Sequence, residues 1–394
     1  MPSEAAGADA TGRPSLSARW REEVSLAQAA VMPPGRVAVS CSAPFGAGGL
    51  GRHLQELVEA LRRGGRETAC VCEAGGSEDA GVPCTEVRAS AQWSAGAKLA
   101  RFFPAWRMWL VSAGFDSEAA RRLPAAEHLI AFNGTAVAQL AAAGKAGFAS
   151  RRLVSATPHM RRVLRQDAIA HERHPLERPW ATRLLGRNLR EYAAVEEIYV
   201  SSRYSLESFL DEGFSEDRVA LFPLTPEARF KPAPAAPAGD TFDVVYAGAL
   251  TVNKGVPLLI EAVRRLGYAD LRLVLVGGWK SRGMRRFIQA ACAADPRISV
   301  RWGDPLTRLQ AARLYVHPSY YDGFAYAPAE ALACGVPVLA SEDTGMKDLI
   351  GSEREGLVLP TGELDALTEA IAAAYRGEIF TREPAPLERA GGTR

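Results

Sequence analysis

Three stretches of this 394-residue chain place reactive residue types at spacings that could do chemistry. The first is Asp322-Gly323-Phe324-Ala325-Tyr326, with Glu330 four residues further on. Small residues leading into a helix bring backbone close to a ligand, and the helix start leaves amides free to bind it. A carboxylate one or two turns inside that helix, Glu330, suits a pair of neighbouring hydroxyls. The second stretch runs from Gly248 to Lys254-Gly255, a strand end and a loop with a lysine and a glycine leading into a helix. The third, Gly46-Ala-Gly48-Gly49-Leu-Gly51, satisfies the G-x-G-x-x-G pattern, and Glu73 lies near the end of the next expected strand. Each has a plainer reading: Asp322 as a helix cap, Glu330 as a solvated helix residue, Lys254 as a surface lysine and the glycines as a turn needing positive φ.

The third stretch sets two ligand chemistries against each other. In a dinucleotide site the first glycine turns tightly off the strand, whereas here Ser42-Ala-Pro-Phe45 intervenes. The same glycines also suit a loop without side chains whose amides, with the following helix N-terminus, face a phosphate across a cleft.

These residues need a frame that brings loops together, and the hydrophobic pattern supplies one. Short apolar runs at Arg36–Cys41, Glu67–Glu73, His128–Phe132, Arg152–Ser155 and Glu197–Ser201 alternate with helical stretches such as Arg52–Arg63 and Tyr204–Gly213. After a proline-rich interruption the alternation restarts at Phe242–Tyr246, Leu271–Val276, Ile298–Trp302, Leu314–His317, Val336–Ala340 and Gly356–Leu359. Strands alternating with helices predict parallel sheets covered on both faces, here an α/β chain of two Rossmann-like domains facing each other across a cleft. The expected divisions are an N-terminal extension at 1–33 that is disordered or helical (Ala18–Val31), a first domain at 34–230, a Pro/Ala-rich linker at 231–241, a second domain at 242–378 and a tail at 379–394.

Composition narrows the class. A formal charge of +2 gives no signature of a dedicated nucleic-acid binder. Six cysteines, Cys41, Cys70, Cys72, Cys84, Cys292 and Cys334, lack the paired spacing of a zinc site and read as free buried thiols. The N-terminus lacks the apolar core of a signal peptide, and no apolar run is long enough to span a bilayer, so a cytoplasmic location is expected. Basic and aromatic residues gather from Lys98 to Trp109, either as an interfacial face at the inner membrane surface or as ordinary packing on a domain helix interrupted by Pro104. Arg151-Arg152 and Arg161-Arg162 read as solvated or phosphate-facing surface.

The segment Pro318 to Ser341 resembles glycosyltransferase family 4, which carries an acidic residue, then Gly-Phe-Gly, then a glutamate on the following helix. The matching positions are Asp322, Gly323-Phe324-Ala325 and Glu330. Val245 to Glu261 is similar to the family's Gly-Arg-Leu, loop, Lys-Gly patch, with Ala249 where the arginine usually stands. Val274 to Gly278 resembles the strand end beneath the nucleotide, and Trp302-Gly303-Asp304 the segment flanking the base. In the first half, Gly48-Gly49 to His53 resembles the acceptor-side glycine loop, and His159 follows a strand where related enzymes place a histidine near the sugar.

The resemblance covers about Arg36 to Tyr375 and implies a GT-B fold and a retaining, metal-independent hexosyl transfer from a nucleotide-sugar, leaving UDP or GDP. It implies catalytic roles for His159, Asp322 and Lys254. It implies donor contacts from Gly48, Gly49, Gly248, Lys254, Gly277, Asp322, Gly323, Phe324, Ala325, Tyr326 and Glu330. Lys254 would meet the diphosphate, Glu330 the ribose and Asp322 the transferred hexose, with Arg282 or Lys280 compensating for Ala249. The acceptor would be a glycan, lipid-linked sugar or small molecule; no cofactor, metal or nucleic acid is called for, and nothing specifies an oligomeric state. No crossover helix is apparent in Arg376 to Arg394, which predicts loose cleft closure. Two other classes stay open: an NAD(P)-dependent oxidoreductase built on the first glycine loop, and a non-catalytic nucleotide-sugar binder.

Overall fold

The computed structural model describes Gln28 and residues 33–73, 81–233 and 241–380. The expected helix Ala18–Val31 lies outside these residues apart from Gln28, as do most of the expected linker and nearly all of the tail. In the first domain the strands are β1 (Val37–Pro44), β2 (Thr68–Glu73), β3 (Cys84–Glu86), β4 (His128–Phe132), β5 (Ser150–Ser155), β6 (Glu197–Val200) and β7 (Val219–Leu221). All are parallel, in the order β3-β2-β1-β4-β5-β6-β7. The helices are α1 (Gly48–Arg63), α2 (Ala91–Leu99), α3 (Pro104–Ala120), α4 (Val137–Lys145), α5 (Met160–Arg173), α6 (Leu185–Ala193) and α7 (Arg203–Leu210).

The second domain repeats the plan. Its strands β8 (Phe242–Ala247), β9 (Leu271–Val276), β10 (Ile298–Arg301), β11 (Leu314–His317), β12 (Val338–Ser341) and β13 (Gly356–Leu359) form a parallel sheet ordered β10-β9-β8-β11-β12-β13. Its helices are α8 (Val256–Arg265), α9 (Arg282–Ala294), α10 (Leu306–Ala311), α11 (Tyr326–Ala333) and α12 (Leu364–Arg376).

The central strands are buried on both faces, which is why β4 reads His-Leu-Ile-Ala-Phe rather than alternating. On α1, Leu54, Leu57, Val58 and Leu61 turn inward at helical spacing, with Gln55, Glu59 and Arg62 outside them. Gly51 lets that helix start against its own strand, because a Cβ there would lie 2.0 Å from the Pro44 carbonyl oxygen. Strand β1 is longer than its apolar run: a register shift between Cys41 and Pro44 carries it past Ser42, so Gly46 follows the strand end closely. The supposed interruption before the glycine loop is therefore an irregularity within the strand.

The 98–109 stretch is two helices rather than one, since Pro104 occupies the first turn of α3, where its missing N–H costs nothing. The paired arginines face carboxylates: Arg151 meets Glu196, Arg152 meets Glu197, Arg161 meets Glu212 and Arg162 meets Asp211. All six cysteines are free.

Tight backbone packing fixes the loops of the second sheet. Gly255, at φ +68°, precedes α8, and a Cβ on it would meet the Pro318 carbonyl oxygen at 1.8 Å. Gly255→Ala is expected to destabilise the second domain by roughly 2–3 kcal/mol, from left-handed backbone cost plus displacement of the Pro318 strand end. Urea titration followed by the fluorescence of Trp279 and Trp302 measures it, and a loss below about 0.5 kcal/mol would contradict this packing.

Candidate functional site

In both sheets the strand order reverses direction between two central strands, β1 and β4 in one and β8 and β11 in the other. Ligands of open parallel sheets bind beyond the carboxyl ends at such points, because the connecting helices leave to opposite sides there. The two reversal points face each other, and a cavity of about 550 Å³ lies between them. It draws residues from the turns after β1, β5, β8, β9 and β11.

The second-domain wall is built from backbone. Gly248 and Gly277 have φ of 145° and 146°, and a Cβ on Gly277 would lie 1.9 Å from the Gly248 carbonyl oxygen. These two turns, joined where Gly248 N–H donates to Val276 O at 2.9 Å, form a floor with no bulky side chain. Above it Lys254 Nζ pairs with Asp322, and His317 Nε2 lies 3.3 Å from the same carboxylate. Burial opposes the charge on Asp322, but Lys254 and His317 outweigh it and hold the carboxyl below the usual carboxylate range. Burial pushes His317 down from its ordinary value, against the pull of Asp322.

Glu330 lies on α11, reached through Phe324 and Ala325. Ala325 sits at the helix start with φ +64°, one of two non-glycine residues at positive φ among the described residues. Burial raises the Glu330 carboxyl above its ordinary value, with Arg52 opposing. Arg52 comes from α1 of the first domain, and its Nη1 lies 2.6 Å from Glu330 Oε1. It also pairs with Glu227 at 3.2 Å, while its guanidinium stands 4.1 Å above the Tyr326 ring. Arg52 Nη1 meets Glu330 Oε1, while Arg52 Nη2 is buried without a hydrogen-bond partner among the described residues. Behind it Tyr326 donates its O–H to Glu56 at 3.2 Å, and burial pushes that carboxyl up to about 7.

The cavity wall brings together Gly48, Gly49, Gly248, Lys254, Gly277, Asp322, Phe324, Ala325, Tyr326 and Glu330. Gly323 stands just behind it, where a Cβ would meet the Ala156 carbonyl oxygen of the first domain at 2.4 Å. His159 is a correction. It caps α5, accepting from Arg161 N–H at 3.3 Å, and is enclosed by Tyr192, Phe209 and Phe214 rather than facing the cavity. Burial lowers it to about 4, which suits a neutral histidine packed among aromatic rings.

Arg282 and Lys280 also lie outside the wall; Gly283 beside them packs on the Leu176 carbonyl of the first domain. The cations at the cavity are Lys254 and Arg52. Arg52 and His317 were missed as site residues, although one follows the glycine loop and the other ends a central strand at the reversal point. No group of three or more His, Cys, Asp or Glu among the described residues is arranged to hold a metal ion.

The domains meet closely along one side. Glu177 accepts from Val252 N–H at 2.8 Å, His174 lies 3.1 Å from Glu261, Gln166 donates to Asp343 at 2.8 Å and Asp348 accepts from Arg203 N–H at 2.6 Å. Loose closure, expected from the tail, is thus not observed: contacts from α5 and the segment after it join the domains.

The family model for "Glycosyl transferases group 1" matches residues 228–388, which include the whole second sheet and its wall of the cavity. Over that range the second domain is similar to the group 1 glycosyltransferases. Among related sequences, the D-inositol 3-phosphate glycosyltransferase of Mycobacteroides abscessus is 29% identical over 159 residues, 37% of this chain and 34% of that protein. The chain therefore spans about a third of that relative's length. Among solved structures, a sucrose-phosphate synthase from Thermosynechococcus elongatus aligns with a TM-score of 0.63 at 19% identity, covering 87% of this chain and 90% of that one. HepE of Anabaena in complex with UDP aligns at 0.61 and 16% identity, covering 88% and 91%. The described part of the chain thus has the GT-B fold, and its second domain supplies the wall that holds Lys254, Asp322 and Glu330.

The left-handed Ala325 yields a test of this wall. Ala325→Gly is expected to raise stability by about 0.5–1 kcal/mol, because relief of the strained backbone exceeds the extra chain entropy of glycine. Chemical denaturation checks it, and a loss of stability would mean that the Ala325 methyl packs favourably enough to offset its backbone.

Proposed function

We propose that this chain transfers a sugar from a UDP- or GDP-linked donor to a hydroxyl of a glycan, lipid-linked sugar or small-molecule acceptor. The reading takes the transfer to retain anomeric configuration and to need no metal. The observation that carries it is the cavity wall on which Lys254, Asp322 and Glu330 stand over the glycine floor of Gly248 and Gly277. The structurally similar HepE was solved in complex with UDP, which supports a nucleotide as the ligand.

In this reading the donor's ribose hydroxyls donate to Glu330, sharing its carboxylate with Arg52. The diphosphate lies over the floor, where no side chain obstructs it, and near the amides at the start of α1. Lys254 turns from Asp322 to the diphosphate, and Asp322 is left to accept from sugar hydroxyls. As the sugar–phosphate bond breaks, charge grows on the leaving diphosphate, and a fixed ammonium there lowers the barrier. The acceptor oxygen bonds to the anomeric carbon on the face the diphosphate leaves, and its proton passes to the leaving phosphate oxygen. Arg52 is the second cation lining the cavity, and in this reading it supplies the charge that Ala249 does not.

Thermal-shift measurements against UDP, GDP, ADP, their sugar conjugates, NAD and NADP test the donor. Stabilisation by one nucleoside diphosphate and its conjugates is expected; stabilisation by NAD or NADP alone would replace this reading with the oxidoreductase. Glu330→Ala is expected to weaken that nucleoside diphosphate about 10- to 100-fold, the loss of hydrogen bonds to a charged acceptor. Calorimetric titration showing unchanged affinity would remove Glu330 from the ribose site.

Lys254→Ala is expected to lower kcat about 100-fold and also to lower the unfolding midpoint, because Asp322 loses its partner. Donor turnover at saturating acceptor reports it. Unaltered turnover in a folded variant would exclude Lys254 from the chemical step.

A further inference from the structure

The described residues expose eight large hydrophobic side chains, and four of them fall between Leu99 and Trp106. Leu99 is 84% exposed, Phe102 60%, Phe103 55% and Trp106 44%. They occupy the end of α2, the short 3-10 turn Ala100–Phe102 and the first turn of α3, so Pro104 makes a corner with apolar rings on its outer side. Isolated exposed apolar residues need no explanation, but a contiguous group rimmed by charge does.

The rim is of one sign. Arg101 lies 4.7 Å over the Phe102 ring, Arg183 3.5 Å over Trp106 and Arg178 6.0 Å from Phe103. Lys98, Arg101 and Arg107 line a groove of about 420 Å³ between α2 and α3. From Val87 to Phe115 the sequence contains no Asp or Glu. By contrast, the paired arginines on the same domain each meet a carboxylate.

The geometry points to this corner as the surface by which the first domain docks on an anionic lipid bilayer. Aromatic rings and a leucine enter the headgroup boundary, and arginine and lysine heads meet lipid phosphates while their stems cover apolar surface. A peripheral mode fits the rest of the chain, because no helix among the described residues is long and apolar enough to cross a membrane. The corner also lies beside the domain seam: Glu177, next to Arg178, accepts from Val252 N–H of the second domain. This docking is independent of the transferase reading, since none of its residues lines the cavity.

Co-sedimentation of the full chain with phosphatidylcholine vesicles, alone or mixed with phosphatidylglycerol, tests it without any nucleotide. Binding to the mixed vesicles only, weakened by added salt, is expected. Arg101→Gln with Arg107→Gln is expected to bind roughly thirtyfold more weakly, and Phe102→Ser with Phe103→Ser at least about tenfold. Both pairs are exposed, so their unfolding midpoints should match the parent chain and separate docking from folding. Equal binding to both vesicle types, or unchanged binding by both variants, would overturn the proposal. So would a concentration-dependent dimer in sedimentation velocity that the serine variant dissolves, which would assign the corner to a second copy.

Discussion

Charge compensation, within the second domain at Asp322 and across the cleft at Glu330, is the constraint on which the rest of the site depends. Asp322 and Glu330 can stand in the wall of the cavity, shielded from water, because Lys254 faces one and Arg52 the other. Removing one partner of a buried pair leaves an uncompensated charge, at a cost of roughly 3–5 kcal/mol where burial is complete. The two carboxylates respond differently. Asp322, between Lys254 and His317, is held ionised, while burial of Glu330 outweighs a single partner and raises its carboxyl. The wall therefore carries one firmly anionic carboxylate and one that burial shifts toward its protonated form.

That balance depends on the two domains remaining in contact. Gly323 approaches the Ala156 carbonyl, and Gly345 approaches Ser202, so closely that a Cβ on either would collide with backbone or side chain. The loop holding Asp322 is thus seated against the first domain, while Glu177 and His174 hold the loop and helix that follow β8. Domain arrangement, loop position and carboxylate charge form a single system.

Much of this was legible in the sequence because the second domain is read along the chain. Asp322 to Glu330 and Gly248 to Lys254 each lie in one stretch of chain, so the family resemblance could be followed residue by residue onto a common wall. Strands buried on both faces gave continuous apolar runs, and β4, β9, β11 and β13 begin and end where those runs do. What could not be read was contact between distant segments. Strands β3 and β7 are only three residues long and carry no periodicity. His159 ends a strand as a site residue would, but the aromatic partners that enclose it come from α6, α7 and Phe214. Arg52 has the opposite history: it looked like part of an amphipathic helix until folding carried that helix N-terminus across from Glu330.

The position of Arg52 also changes what Ala249 means. With arginine at 249, both cations facing a diphosphate would belong to the second domain, and their spacing would be independent of the cleft. With alanine there, the second cation comes from the first domain and is tethered through Glu330, Glu227 and Tyr326. In the proposed reaction a nucleotide that claims Glu330 through its ribose releases one of those tethers, leaving Arg52 held by Glu227 and the Tyr326 ring with part of its guanidinium turned to the incoming phosphates. Full charge stabilisation then requires the donor to be bound and the domains to be together. Donor held in an open cleft would face Lys254 alone, so breakdown of the donor without an acceptor domain in place would be disfavoured by the same substitution that removes the arginine.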